Sequence, residues 1–351
     1  MKRTTVVKKK PAARTRRPAA KPPAQAKASV GIAALSYHLP DTVKSLEELH
    51  REGKLVSPVA HLKDFGFEKV WVEESGDHMR LAEAAVKKLV DSGELDPDEV
   101  DVIIHCGSIT PSGMIHPVPG AKDAHYLRVD KFLDFFKFPG SKLQYDFDMA
   151  GSSVVGIGQA SCTAMMSSLR VARDMLIAED EVNTVLCVSS DAFPPNASRE
   201  VLYNVISDGG AAVVLKKGHP RNRILSYAQV TKGYYWNCDE LQNEIIAAYF
   251  PTARTVIDRA LEKAGLAMKD IHWLLPHNVS QRSWAILLGL LGFPKEKFFG
   301  ANIAAKGHSI ASDNIVNLKD ALDSGQIKKG QNVMLFNYGF GANWTCAILK
   351  A

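Results

Sequence analysis

Residues 153–180 read SVVGIGQASCTAMMSSLRVARDMLIAED, and their order decides the fold. The apolar run Val154–Ile157 is short, rich in β-branched residues and followed by glycine, which marks a strand delivered to a turn. Beyond the turn, Met165, Leu169, Ala172 and Leu176 recur at helical spacing along one stripe. The stretch therefore predicts a strand, a tight turn and a helix, with Cys162 in the first turn of that helix. Free backbone N–H groups and the positive end of the helix dipole point to that place. A thiolate is stabilised there and becomes nucleophilic near neutral pH. The residue type leaves a second reading open, a small buried hydrophobe.

Outward from Cys162 the pattern stays α/β. Towards the N-terminus lie a strand in VGIAALSYHLP from Val30 to Pro40, a short amphipathic helix carrying Leu46, Leu49 and Leu55, a stronger helix over 77–95 with Leu81, Ala85, Val86 and Leu89 on one face, and a continuous apolar strand over Val100–Ile109. Towards the C-terminus, VNTVLCVSSD and GGAAVVLKK are further buried strands. The second half repeats this grammar: a helix in YFPTARTVIDRALEKAGL, a strand in IHWLLPHNVS that ends in a polar turn, a helix in IVNLKDALDSGQI, and two strands in NVMLFNYGFGANWTCAIL. Two halves with matching order predict an internal duplication about residue 220, with helices covering mixed sheets. The expected organisation is a tail over 1–29, a half over 30–220 that carries Cys162, and a half over 221–351.

Composition bounds the function. The chain has 351 residues, 46% hydrophobic and 23% charged, which suits one large unit or two fused domains. No run of about 18 apolar residues occurs, so no transmembrane helix is expected. Five cysteines without a C-x-x-C pair fit neither a disulfide scaffold nor a common zinc ribbon; reduced thiols and a cytoplasmic setting are expected. The formal net charge of +5 misleads, because residues 1–29 hold ten Lys or Arg and no acid. The 43 basic residues less these ten leave 33 against 38 acidic ones, so the body is mildly acidic and a nucleic-acid-binding body is not expected. The tail, MKRTTVVKKKPAARTRRPAAKPPAQAKAS, has too little apolar surface to offset the entropy of ordering and is expected to be disordered.

A cysteine nucleophile needs a base, most often histidine. His277 follows a buried strand in WLLPHNVS, and His308 lies in the small-residue turn AAKGHSIASDN before a helix. Strand ends and the loops after them are where α/β folds put chemistry. Cys106, Cys187 and Cys346 lie inside apolar strands and read as core; Cys238 in YYWNCDE is ambiguous. No H-E-x-x-H or G-x-S-x-G occurs, which removes those zinc and serine hydrolase readings.

Taken together, the Cys162 turn, SDGGAAVVL at 207–215, LLPHNVS around His277 and the closing stretch KGHSIASDNIVNLKDALDSGQIKKGQNVMLFNYGFGANWTCAIL resemble the thiolase superfamily, its ketoacyl synthase III branch most closely, over Val30 to Ala351. The resemblance implies a thiolase-like α/β fold: a duplicated five-layer α-β-α-β-α arrangement of two similar halves. It implies an acyltransferase of the β-ketoacyl synthase type in fatty-acid or polyketide biosynthesis. Cys162 would take an acyl group from a coenzyme A or acyl-carrier-protein thioester, and His277 and His308 would polarise a second, malonyl or β-ketoacyl, thioester. The backbone N–H groups of Cys162 and Phe340 would form the oxyanion hole, and Asn278, Ser280, Gly339 and Gly341 would line the substrate arm. No cofactor is implied beyond the thioesters, and the partners implied are a carrier protein or acyl-coenzyme A and a second, identical or related, chain.

This chain departs from the branch in four places. His308 stands where the branch usually has asparagine, so the set Cys162, His277, His308 is similar to elongating ketoacyl synthases, as is the turn Gly339-Phe340-Gly341. H-Q-A-N has become His277-Asn278-Val279-Ser280. The coenzyme A-gripping W-x-x-x-R-T-G-I is absent, which favours a carrier-protein donor. An insertion between Thr110 and Phe147 carries Met114, Tyr126, Phe132, Phe135, Phe136 and Phe138, as an acyl tunnel, a dimer face or a core patch. Two alternatives stay open beside condensation: transfer of the acyl group to an alcohol or amine, and a partner subunit of a heterodimeric condensing enzyme.

Overall fold

The computed structural model describes residues 29–108, 137–194 and 196–351; the tail over 1–28 and most of the aromatic insertion lie outside the described residues. Nine strands form one mixed sheet: β1 (Val30–His38), β2 (Val102–Cys106), β3 (Ser153–Ile157), β4 (Thr184–Asp191), β5 (Gly209–Lys217), β6 (Arg223–Thr231), β7 (Trp273–Leu275), β8 (Asn332–Gly339) and β9 (Asn343–Lys350). Their spatial order is β7-β8-β9-β6-β1-β5-β4-β2-β3.

The order contains the duplication. In the first half β2 runs parallel to β4, β4 antiparallel to β5, and β5 antiparallel to β1. In the second, β7 runs parallel to β8, β8 antiparallel to β9, and β9 antiparallel to β6. The register shifts early in both first strands, at Ile32/Ala34 and at Ile224/Ser226. The two sets meet at a single antiparallel pair, Gly31 with Arg223, and the turn Gly218–Asn222 separates them in the chain. Among the described residues only the first half has a strand in the place of β3, which pairs with β2 and forms the outer edge.

Helices complete five layers. We label α1 (His78–Asp91), α2 (Ala164–Ala178), α3 (Gln242–Ala264), α4 (Gln281–Leu291) and α5 (Asp313–Asp323). Strand side chains alternate between faces, and the cores follow that alternation. Ala211, Val213 and Leu215 of β5 join one core with α2, α5 and Val333, Leu335, Ala347 and Leu349 of the second half. Ala212 and Val214 join the core under α1, while Met334, Phe336, Trp344, Cys346 and Ile348 join the core under α3 and α4. The layers are thus α1, first half-sheet, α2 with α5, second half-sheet, and α3 with α4. The two central helices start at equivalent places in the two halves, Cys162 before one and His308 before the other.

Among the expected elements, GGAAVVLKK is a strand over its full length, whereas the strand expected from Val100 is laddered only over Val102–Cys106. The helix expected from Tyr249 begins earlier, at Gln242, and carries Pro251 inside it. Strand β6 and helix α4, which opens directly after His277-Asn278-Val279-Ser280, had no counterpart in the sequence reading. Of the insertion, the described part ends in a helix over Pro139–Asp146, with Phe138 exposed before it. No helix among the described residues is long and apolar enough to cross a membrane.

Candidate active site at the paired helix starts

Cys162 lies in a single 3-10 turn, Ser161–Thr163, that runs straight into α2. The turn is reached through left-handed backbone at Gln159 (φ 59°) and Ser161 (φ 48°), a conformation that non-glycine residues hold only when their surroundings impose it. Gly339, the last residue of β8, presses on this turn. A Cβ at Gly339 would sit 2.8 Å from the Cys162 backbone nitrogen and 3.0 Å from the Ala160 carbonyl oxygen, so only glycine lets the strand end approach so closely. The Asn337 side-chain amide donates to the Cys162 carbonyl at 2.9 Å, which ties the same strand to the same turn.

His308 is placed by the SDGG segment. Its N–H donates to the Val205 carbonyl at 3.0 Å, and its carbonyl accepts from Ser207 N–H at 2.9 Å. Next along, Asp208 forms a fully buried ion pair with Arg199 at 2.6 Å. At Gly210 an added Cβ would collide with the Leu81 carbonyl of α1 at 2.4 Å. So held, His308 directs Nε2 at Cys162 Sγ, 3.5 Å away. Its Nδ1 lies 2.5 Å from Asp313 Oδ2.

Asp313, the first residue of α5, is completely buried. Its Oδ2 also accepts from Asn278 N–H at 2.6 Å, and its Oδ1 accepts from Ser309 N–H at 2.7 Å and Ser309 Oγ at 2.8 Å. Burial alone lowers the affinity of His308 for a proton. The Asp313 carboxylate, followed by Cys162, outweighs it and raises the His308 pKa to about 10.

His277 is different. It is buried among Trp284, His308 and Phe336, with ring centroids 5.6, 6.2 and 6.1 Å away. Burial first, and the charge on His308 second, hold its pKa well below the usual histidine range, and the Phe336 backbone opposes this too weakly to matter. Neither ring nitrogen makes a hydrogen bond of good geometry among the described residues.

A cavity of about 250 Å³ opens over the sulfur. Cys162, Ser161 and His308 reach it, and Phe193, Val201, Leu202, Ile206, Val279 and Phe340 give its wall an apolar face. Gly339 is in the wall; His277, Asn278, Ser280 and Gly341 are not among its lining residues. Asn278 belongs instead to a buried amide scaffold. Its Oδ1 accepts from Asn317 at 2.8 Å, Asn317 also donates to the Pro276 carbonyl at 2.9 Å, and Asn337 donates to Asn314 at 2.7 Å. Ser280 ends the strand-to-helix turn with its N–H on Asn204 at 3.0 Å, and Gly341 (φ 125°) sits in the β8–β9 turn. The sequence reading missed Asp313. The signal it offered was an acid five residues after the histidine, at a helix start.

Two family models match this chain. 3-Oxoacyl-[acyl-carrier-protein (ACP)] synthase III covers residues 158–233, and 3-oxoacyl-[acyl-carrier-protein (ACP)] synthase III C terminal covers 261–351. The first takes in Cys162, and the second takes in His277, His308 and Asp313. The chain is a ketoacyl synthase III-like member of the thiolase superfamily. β-Ketoacyl-[acyl-carrier-protein] synthase III of Clostridium perfringens is 25% identical over 313 residues, 81% of this chain and 88% of that protein. The crystal structure of 3-oxoacyl-[acyl-carrier-protein] synthase III from Aquifex aeolicus covers 92% of this chain and all of its own at a TM-score of 0.72 and 20% identity. The acyltransferase ChlB3 covers 93% of this chain and 98% of its own at a TM-score of 0.76 and 19% identity. Those two structures speak for the fold. The relatives and the family models make this chain an enzyme of the acyltransferase, condensing type.

Proposed function

We propose that the protein loads an acyl group from a coenzyme A or carrier-protein thioester onto Cys162 and passes it to the carbon of a second acyl thioester. One observation carries the reading: Cys162 Sγ faces His308 Nε2 at 3.5 Å on the floor of a largely apolar cavity. An imidazolium at that distance favours the thiolate needed for attack, and it holds the proton that the departing thiol requires. The Cys162 N–H and the backbone at Phe340, beside Gly339, are the proposed donors to the tetrahedral oxyanion. The apolar wall suits an acyl chain and keeps water from the thioester. The proposal needs no cofactor beyond the thioesters. The names of the relatives, synthases acting with an acyl carrier protein, support that donor class. The free cysteines support a reducing, cytoplasmic setting.

A second reading, transfer to an alcohol or amine, is favoured by the Asp313–His308 contact, the arrangement of a general base with its orienting carboxylate. The test is to incubate the full chain with a panel of acyl-coenzyme A and acyl-carrier-protein donors, add a second thioester, and analyse the products by mass. A β-ketoacyl product supports condensation. Loaded protein that never yields one, while releasing ester or amide with an alcohol or amine, contradicts it.

A further inference from the structure

We propose that Asp313 holds the proton of neutral His308 on Nδ1, so that His308 Nε2 faces the acyl-enzyme as a proton acceptor, and that the second substrate is therefore a proton-bearing nucleophile rather than a carboxylate that leaves as carbon dioxide. The inference rests on Cys162 being the acyl carrier and goes beyond it in naming the class of acceptor.

The geometry sets the tautomer. Asp313 is buried and receives four donors: His308 Nδ1, Asn278 N–H, Ser309 N–H and Ser309 Oγ–H. Its two oxygens act only as acceptors, so whatever the state of Cys162, the hydrogen between Asp313 and His308 comes from Nδ1. A neutral imidazole with its hydrogen on Nδ1 has only a lone pair on Nε2, the nitrogen that looks at the sulfur and reaches the cavity. It cannot donate a hydrogen bond to a developing enolate there. His277, the second imidazole expected to share that charge, is absent from the cavity wall.

The proton balance agrees. In the first half-reaction the Cys162 thiolate forms a bond to the acyl carbon, the donor's carbon–sulfur bond breaks, and the departing thiolate takes the proton from the His308 imidazolium. His308 is then neutral. If the acceptor carries a proton on oxygen, nitrogen or an acidic carbon, His308 Nε2 takes that proton as the nucleophile bonds to the acyl carbon. The Cys162–acyl bond breaks, and the resting thiolate and imidazolium are restored with nothing borrowed. If the acceptor instead loses carbon dioxide, its carbanion attacks without giving up a proton. His308 then stays neutral until water supplies one to a wall that is mostly apolar. Asp313 is in this account a positioning residue; the group that moves the proton is His308.

The test uses the full chain loaded with an acetyl group from p-nitrophenyl acetate and followed by intact mass. The loaded protein is divided among hydroxylamine, acetyl-coenzyme A deuterated on its methyl carbon, and malonyl-coenzyme A labelled in the free carboxylate. The expected result is that hydroxylamine strips the acetyl group faster than it does from urea-unfolded acetyl-protein. No labelled carbon dioxide accompanies acetyl loss in the malonyl arm. Exchange or transfer of the deuterium identifies a carbon acid as an acceptor, and its absence points to oxygen or nitrogen. In Asp313→Asn, loading should slow because the imidazolium loses its carboxylate, and once the variant is loaded, assisted release should fall by on the order of a hundredfold, with its pH dependence flattened, because the amide permits the opposite tautomer. Labelled carbon dioxide released in step with acetyl loss overturns the inference, as does Asp313→Asn releasing at the wild-type rate. The malonyl arm needs no variant, so it decides even if Asp313→Asn fails to fold. If no adduct forms on Cys162, the reading of Cys162 falls and takes this inference with it; an adduct with carbon dioxide release removes the inference alone.

Discussion

Two histidines of the same protein are driven in opposite directions by what touches them. His308 meets a carboxylate on one nitrogen and sulfur near the other, and its proton affinity rises; His277 meets aromatic faces and a neighbouring charge, and its affinity falls. The two are therefore not interchangeable. His308→Ala should slow iodoacetamide alkylation of Cys162 at pH 7 by on the order of tenfold or more, because the thiolate loses its counter-ion. His277→Ala should leave that rate near wild type while lowering stability. Equal slowing in both variants would mean that the pair acts on the sulfur jointly. Cys162 and both histidines were legible in the sequence from their places beside strand ends and helix starts. Asp313 was not, because a carboxylate at a helix start is an ordinary N-terminal residue until the fold turns it back on the histidine five residues earlier. The amide scaffold of Asn278, Asn314, Asn317 and Asn337 was hidden for the same reason: asparagines read as surface until a fold gives each a buried partner.

At the scale of elements, the site is a junction of β8 with the turn before α2. Gly339 and Asn337 of that strand hold the Cys162 turn by close approach and by an amide bond to its carbonyl. Gly339→Ala should push the turn away from the strand. Since a 1 Å misplacement costs about a hundredfold in rate, loading of Cys162 should fall by about that factor while the circular dichroism spectrum stays that of the folded chain. Normal loading by this variant would show that the contact does not set the turn. Apolar periodicity revealed most of the elements, notably β5 and the two central helices. It failed for α4, whose sequence QRSWAILLGLL follows His277-Asn278-Val279-Ser280 without a capping signal; its N-cap Ser280 makes no side-chain cap bond. It failed also for β6, whose partly buried pattern has no long apolar run.

For the molecule as a whole, the duplication brings two helix starts face to face between two half-sheets, and the repeated helix-then-strand order made that much readable from sequence. The joining of both halves through Gly31 and Arg223, and the missing counterpart of β3, are tertiary facts with no local signature. As an outer edge strand with exposed and half-buried side chains, β3 is open to pairing with a second copy. Light scattering at micromolar concentration should report twice the chain mass of 38.4 kDa, and a monomer would refute that pairing. Stability should also depend on pH through buried histidines. Burial lowers the pKa of His105 to about 3, and lowers those of His78 and His277, from an ordinary value of 6.5. Below 6.5 the unfolded chain binds protons that the folded chain refuses, so the contribution of these histidines is complete above that pH and is lost as pH falls, for His105 at about 1.4 kcal/mol per pH unit down towards 3. Melting temperatures between pH 4 and 7 should rise with pH, and His105→Gln should flatten the rise; an unchanged slope would contradict the assignment. All of this architecture serves one claim, that Cys162 carries the acyl group. The most direct measurement is intact mass of the full chain and of Cys162→Ser after exposure to the same acyl thioesters: the account predicts one acyl increment on the wild-type chain, mapped to the peptide containing Cys162, and none on the folded variant, whereas an equal increment on both would contradict it.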